Sequence, residues 1–548
     1  MAGIKFSKKE FEKHFKLTEE LKEKISLFGT HFEGMNEDGS EMELEITPNR
    51  PDLYSLQGFI RAFSAFMSKK DEVGLKEYKV NKPEKNFEVK IDKSVSSVRP
   101  FTACAIIKNL KFDDEKIKEI IDIQEKIHNT LGRNRKKIAI GIYPLEKIKL
   151  PIRFEAKTPK DIKFQPLEMD REINGLQILQ QHATGREYAH LLEGNDKFPI
   201  FIDANNEILS MPPIINSHKT GKITETTKDI FIECSGFDFE ILKKTLNILV
   251  TMLAEMGGDI YQMNLVYSDG KKQTPDLTPE KMKLNIDNAN KLLGLSLKES
   301  EVKTLLERAG YNYDSKKSQV EIPAWRTDIM HEVDIIEDIA IAYGYDNFIP
   351  EIPQISTVGQ IDSKEELKKK IADLLAGLNL LETSSYHLLS QDDFKKVAVK
   401  PIIEVEDSKS EYKYLRASLL GNALNILSKN IDSEYPQKIF ELGRVFTLDQ
   451  EGKEETGIKE EERLSIVLAQ SDSNFTLMKQ IIEYLMRMLD INFKIESAQA
   501  PFFIDGRCAS IIVDNKIIGY FGEISPQILS NLRIKMPVVG LELSVDGL

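Results

Sequence analysis

Five carboxylates crowd the stretch RTDIMHEVDIIEDIAIAYGY (326–345): Asp328, Glu332, Asp334, Glu337 and Asp338. Asp334, Glu337 and Asp338 stand at i, i+3 and i+4, so a helix would place them on one face while Val333, Ile336 and Ala340 point elsewhere. Like charges at that spacing repel unless a cation or a basic partner offsets them. Oxygen-only ligands suit Mg²⁺ better than zinc, although Mg²⁺ takes one or two carboxylates and fills its shell with water. An acidic face that stays solvated is the other reading, and on residue types alone the commoner one. The run HEVDI (331–335) begins like a zinc-protease HExxH but has Ile335 at the second histidine position.

A second constellation lies in ILSMPPIINSHKTGKITETTKDIFIECSGFD (208–238), where Ser210, Asn216, Ser217, Thr224, Thr226 and Asp238 gather around a Pro-Pro corner. Short hydroxyl and amide side chains at strand ends can line a pocket that orients a water or reads a substrate hydroxyl. They are also what turns use. No GxxxxGK[ST] or GxGxxG segment occurs, so the usual phosphate-loop enzyme classes drop out. The cluster Arg133, Arg135, Lys136 and Lys137 in LGRNRKK is either a local nucleic-acid contact or a solvated basic loop.

The elements that must position these residues belong to several domains. At 548 residues the chain exceeds one core. Its 41% hydrophobic and 30% charged residues exclude disordered and fibrous classes. A net charge of −13 argues against coating nucleic acid by bulk charge. Three scattered cysteines, without CxxC spacing, argue against a disulfide framework or structural zinc. The N-terminal residues lack an apolar signal core and no apolar run reaches membrane-spanning length, so a cytoplasmic protein without membrane contact is expected.

In EMELEITPNRPDLYSLQGFIRAFSAF (41–66), Met42, Leu44 and Ile46 alternate as in a half-buried strand, and Leu56, Phe59, Ile60, Phe63 and Phe66 recur as on a buried helix face. Linkers are expected at 76–92 and 268–281. Between them, short apolar runs predict a strand-rich domain closed by a helix over 239–256. Capping boxes are expected at Ser296/Glu299 and Ser363/Glu366. The predicted domains are 1–85 (α/β), 90–270 (strand-rich), 275–350 (winged-helix-like, bearing the acidic helix) and 360–548 (mostly antiparallel sheet with flanking helices), an α+β multidomain chain.

Four blocks carry a resemblance across the chain: EITPNRPDLYSLQG, SMPPIINS with TETTKDIFIE, IPAWRTDIMHEVDIIEDIAIAYGYDNF, and YLRASLLGNALNILSKN with KIFELGRVF. In this order they resemble the β subunit of phenylalanyl-tRNA synthetase, archaeal and eukaryotic cytosolic type. The resemblance implies that 90–270 is an editing domain hydrolysing tyrosine misattached to tRNA(Phe), with Asn216, Ser217, Thr226 and Asp238 at its site. It implies Mg²⁺ on Asp328, Asp334, Glu337 and Asp338 at the interface with an α subunit, in an (αβ)₂ heterotetramer. It implies that 360–548 is a class II synthetase fold without its chemistry, ATP being used by the complex at α. Where the family often has TGTD, this chain has Ser235-Gly236-Phe237-Asp238. The rival readings are a scaffold subunit without editing and a free-standing nucleic-acid-binding protein.

Overall fold

The computed structural model describes residues 2–68 and 74–548, which divide into two compact units, Met1–Glu351 and Ile352–Leu548. The first unit opens with a three-stranded antiparallel sheet in which Glu41–Ile46 lies between Ala2–Ser7 and His31–Met35. Met42, Leu44 and Ile46 are fully buried, as their alternation predicts. They face the helix Leu56–Met67, in which Phe63 stacks on both Phe59 and Phe66, while Phe28 meets Phe59 and Phe63 edge-on and Phe66 at a tilt.

The main sheet of this unit is mixed. Towards one end of it Ile230–Gly236 pairs with Phe101–Lys108 on one side and with the edge strand Ile138–Pro144 on the other, and every residue of Ile230–Gly236 is buried. The apolar helix Phe239–Glu255 covers one face through Leu242, Leu246, Leu249 and Leu253. Both expected linkers contribute strands instead. Glu88–Ile91 pairs in parallel with Asp259–Tyr267 and Ile152–Lys157, and Gly270–Thr274 forms a hairpin with Asp259–Tyr267. Lysine-rich, proline-containing sequence misled there because only Val89 and Ile91 need be apolar for one face to be buried.

The acidic helix, Glu332–Tyr343, belongs to a small module with helices Ile286–Leu293 and Glu299–Arg308 and a three-stranded antiparallel sheet. Two expected caps fall elsewhere. Lys298, not Ser296, precedes the helix Glu299–Arg308, and the Glu301 carboxylate accepts from its backbone N–H. Asp362, not Ser363, caps the helix Ser363–Gly377.

The second unit is a seven-stranded sheet, antiparallel except at its short edge strand Leu381–Glu382. Ser363–Gly377 and Phe475–Met488 bury one face, and Leu420–Lys429 and Pro526–Asn531 the other. The terminal stretch GLELSVDGL supplies most of a central strand, Val538–Ser544, between Ile458–Ala469 and Lys516–Ile524.

Arg416 is buried against this sheet. Its guanidinium donates to Glu441 at 2.7 Å, to the Ser385 hydroxyl at 2.8 Å and to the Arg444 carbonyl at 2.8 Å. All of these partners are internal, so Arg416 holds strand to loop and is not presented to a phosphate. Glu441→Ala leaves that cation buried without its carboxylate, which costs about 3–5 kcal/mol. Chemical denaturation of the full chain should show a matching loss, whereas an unchanged midpoint would mean that the pair is solvated.

Candidate editing cleft and acidic helix

A cavity of about 510 Å³ opens beside the strand Ile230–Gly236 of the first unit. Its walls come from the helix Asp114–Asn129 (Ile117, Ile120, Gln124), the strand Ile138–Pro144 (Ile140, Ile142) and the Pro212–Ile214 corner. At its base lies Glu233. This strand is buried on both faces, so it needs apolar residues throughout, and Glu233 is the one acid between Ile230 and Gly236.

Glu233 is 1% exposed, and Tyr143 donates its hydroxyl to one carboxyl oxygen at 3.2 Å. The other oxygen has no hydrogen-bond partner among the described residues. Burial pushes the carboxyl up to about 8, against the opposing field of Arg99. The same Tyr143 hydroxyl lies 3.3 Å from the Asn216 amide oxygen, so one phenolic proton serves both partners. Burial also drives the Tyr143 phenol well above its ordinary range.

The opposite wall is braced. The Ile140 N–H donates to His128 Nε2 at 2.9 Å, which leaves the ring proton on Nδ1, 3.3 Å from Glu125. Burial lowers the His128 pKa and favours the neutral ring. Arg135 pairs with Glu125 at 2.7 Å, donates to the Ile214 carbonyl at 3.0 Å and lies over the Tyr188 ring. The LGRNRKK cluster therefore splits: Arg135 turns inward as part of the wall, and Arg133, Lys136 and Lys137 stay exposed.

Of the four residues expected at this site, the fold brings only Asn216 to the cavity. Ser217 is buried outside it, with its N–H on the Leu209 carbonyl. Thr226 is exposed and bonds Thr224. Asp238 caps the helix Phe239–Glu255, accepting from Glu240 and Ile241 N–H, the role its place before an apolar helix dictates. Phe237 does not line the cavity either; it lies over the buried Arg99 guanidinium, 5.5 Å away. Glu233 in the cavity lining and Tyr143 buried behind it are not singled out by the sequence. The available signal was a lone acid in the apolar run DIFIECSG.

The acidic helix distributes its carboxylates in three directions. Asp328 receives two hydrogen bonds from Arg326, at 2.8 and 2.7 Å. Asp338, buried, accepts from Arg326 at 2.8 Å and from the Tyr311 hydroxyl. Burial works against the Arg326 charge, yet Asp338 and Asp328 hold its pKa well above the ordinary value. Asp334 turns back to cap its own helix, accepting from Met330 N–H at 2.8 Å and His331 N–H at 2.7 Å. Glu337 alone points to solvent. The shared face expected from the i, i+3, i+4 spacing thus dissolves, and among the described residues no three acids, histidines or cysteines form a metal-holding group. As they stand, the four carboxylates do not fit one closed Mg²⁺ cage, because three are engaged by a guanidinium, a phenol and backbone amides.

Two solution measurements follow from these environments. The folded chain keeps the Glu233 proton between about pH 4.5, its ordinary value, and about 8, whereas the unfolded chain releases it, so this carboxyl lowers stability as pH rises through that window. The stability of Glu233→Gln relative to the parent should therefore climb by about 1.4 kcal/mol per pH unit over the same interval. Parallel pH profiles would mean that the carboxyl titrates like an exposed one. For the acidic helix, thermal unfolding of the isolated chain should be the same in EDTA and in Mg²⁺, and a Mg²⁺-dependent rise in Tm would reinstate a metal cage within this chain.

Comparison with known proteins places these features in a family. Residues 105–252 match the B3/4 domain, 282–345 the tRNA synthetase B5 domain and 349–545 the phenylalanyl tRNA synthetase beta chain CLM domain. The phenylalanine–tRNA ligase beta subunit of Pyrococcus horikoshii is 39% identical over 90% of this chain and 89% of its own length. That of Archaeoglobus fulgidus is 36% identical over 96% and 94%. The crystal structure of an N-terminal fragment of the P. horikoshii beta subunit aligns with 62% of this chain and 99% of the fragment, at 36% identity and a TM-score of 0.59. The cleft with its buried Glu233 lies inside the B3/4 match and the Arg326 cluster spans the end of the B5 match, so blocks and geometry agree: the chain belongs to the phenylalanine–tRNA ligase beta-subunit family.

Proposed function

We propose that this chain is the noncatalytic subunit of a phenylalanine–tRNA ligase and that its cleft hydrolyses tyrosine misattached to tRNA(Phe). One observation carries the reading: a mostly protonated carboxyl, Glu233, lies with Asn216 in the lining of a cavity that also presents Ile120, Ile140, Ile142 and Pro212, and Tyr143 behind them donates its hydroxyl to both polar groups. An aromatic side chain fits such walls. A phenol hydroxyl arriving at the base meets the free carboxyl oxygen, whereas phenylalanine would leave that oxygen without a partner. Selection by a missing hydrogen bond in a buried site discriminates strongly, which a purely apolar synthetic pocket does not do.

In this reading Glu233 and Asn216 bind and orient the tyrosyl group, and the Tyr143 hydroxyl positions both. Water adds to the ester carbonyl at the mouth of the cleft, the ester C–O bond breaks, and the ribose hydroxyl regains a proton as free tyrosine leaves. Arg133, Lys136 and Lys137, exposed beside the wall, suit phosphates of the tRNA acceptor end. ATP is used by the companion α subunit, in an (αβ)₂ assembly. Arg416 supports that division, since its hydrogen bonds are all made within the protein. Mg²⁺ at the acidic helix would be an ion shared with the companion subunit, to which this chain would offer the exposed Glu337 carboxylate.

Deacylation of Tyr-tRNA(Phe) by the co-expressed complex tests the cleft. Glu233→Ala should lower it by about two orders of magnitude or more, the scale of an unpaired substrate hydroxyl, with phenylalanine charging intact. Asn216→Ala should lower it less. Asp238→Ala should leave the rate unchanged while reducing stability by about 1 kcal/mol, as expected for a lost helix cap. A parent complex that charges normally but never deacylates would make the chain a scaffold.

A further inference from the structure

Residues 349–361, IPEIPQISTVGQI, carry a pattern that fits neither helix nor strand. Ile349, Ile352, Ile355, Val358 and Ile361 recur every third residue, and Pro350 and Pro353 keep the same period. An α-helix would scatter a three-residue period around its surface, and a strand would divide it between two faces. Polyproline II has three residues per turn, so this spacing places all five β-branched side chains along one edge about 37 Å long. The structure leaves that edge open: the five side chains are 86, 92, 75, 98 and 65% exposed. Among the described residues, 349–361 make no hydrogen bond, ion pair or ring contact, and none is in a helix or strand.

We propose that 349–361 is a polyproline II strip that docks its apolar edge into an uncharged, aromatic-lined groove of the companion catalytic subunit. The inference rests on the reading of the chain as one subunit of a ligase complex. Several features select that occupant. The segment contains one charged residue, Glu351, and no lysine or arginine, so it has nothing to offer a phosphate backbone or an anionic lipid surface. A second copy would present another narrow edge of the same kind, with no groove to receive it. Recognition of polyproline II works instead through a partner groove that takes the apolar edge and donates to the free backbone carbonyls. The low-entropy backbone around the prolines makes such docking less costly than ordering a flexible loop.

The test uses the full chain with the catalytic subunit encoded in the same genome. The triple variant Ile352→Ser, Ile355→Ser, Val358→Ser should weaken assembly by about tenfold or more, because three buried apolar side chains are lost, while Tm of the isolated chain stays unchanged. Inserting one glycine after Gln354 keeps every side chain but rotates the distal half by a third of a turn, and should weaken assembly as well. A photoreactive phenylalanine at 355 should cross-link to the catalytic subunit, and one at 357, off the edge, should not. Assembly unaffected by both changes overturns the strip, as do cross-links from 355 to this chain or a second copy of it. A parent chain that fails to bind the catalytic subunit overturns the complex reading and the strip together.

Discussion

A carboxyl buried on an otherwise apolar strand is the constraint around which the first unit is arranged. Glu233 cannot be ionised cheaply in that position, so it holds its proton to about pH 8 and needs neighbours able to share one. Tyr143 provides this and is itself held by the Asn216 amide oxygen, each from another strand, and the three together require a fixed register between Ile230–Gly236 and Ile138–Pro144, in which Glu233 faces Gly141. Glycine is necessary there. A Cβ at position 141 would lie 2.1 Å from the Tyr143 hydroxyl and 2.6 Å from the Glu233 carboxyl. Strand register, glycine and cavity base are therefore one feature, and the apolar walls above it produce the low dielectric that keeps the carboxyl neutral.

Buried arginine–carboxylate clusters recur as cement. Arg50 holds Asp52 through two hydrogen bonds in the turn PNRPD, Arg326 holds Asp328 and Asp338, and Arg416 holds Glu441 in the second unit. Arg50 and Asp52 repeat the Arg-x-Asp spacing of Arg326 and Asp328, and the field of each arginine reaches the other's cluster. Such clusters add little net stability over apolar packing of the same volume, but removing one member is severe, so they specify a unique arrangement of turns and helix ends. This answers the question posed by the acidic helix. Its charges are balanced mainly by a guanidinium from its own N-terminal approach.

The element pattern was largely legible. Alternation at Met42, Leu44 and Ile46, the aromatic face from Phe59 to Phe66 and the apolar helix after Asp238 all lie where period alone puts them, because burying a single face imposes a period on its residues. The segments 76–92 and 268–281 read as linkers because their strands are short: Glu88–Ile91 lies inside the sheet yet buries only Val89 and Ile91, and Gly270–Thr274 buries only Thr274. The caps lie at Lys298 and Asp362, a residue or two from the expected serines, since several polar residues precede each helix and only the backbone decides which of them takes the cap position.

By itself, the sequence determined the family, through ordered blocks spread over the whole chain, and the presence of a polar constellation around Pro212 and of acids around residue 334. Tertiary structure decided which of those residues meet at one cavity. Ser217, Thr226 and Asp238 lie near Asn216 in the chain but outside its cavity, while Tyr143 is far from Asn216 in sequence and 3.3 Å from it in space. Asp334, Glu337 and Asp338 share a helical face on paper, yet a cap, the solvent and a buried arginine draw their carboxylates apart. Residue spacing carries directions along one element, whereas a site is built where elements meet, and the partner that claims each carboxylate comes from packing that no local pattern encodes.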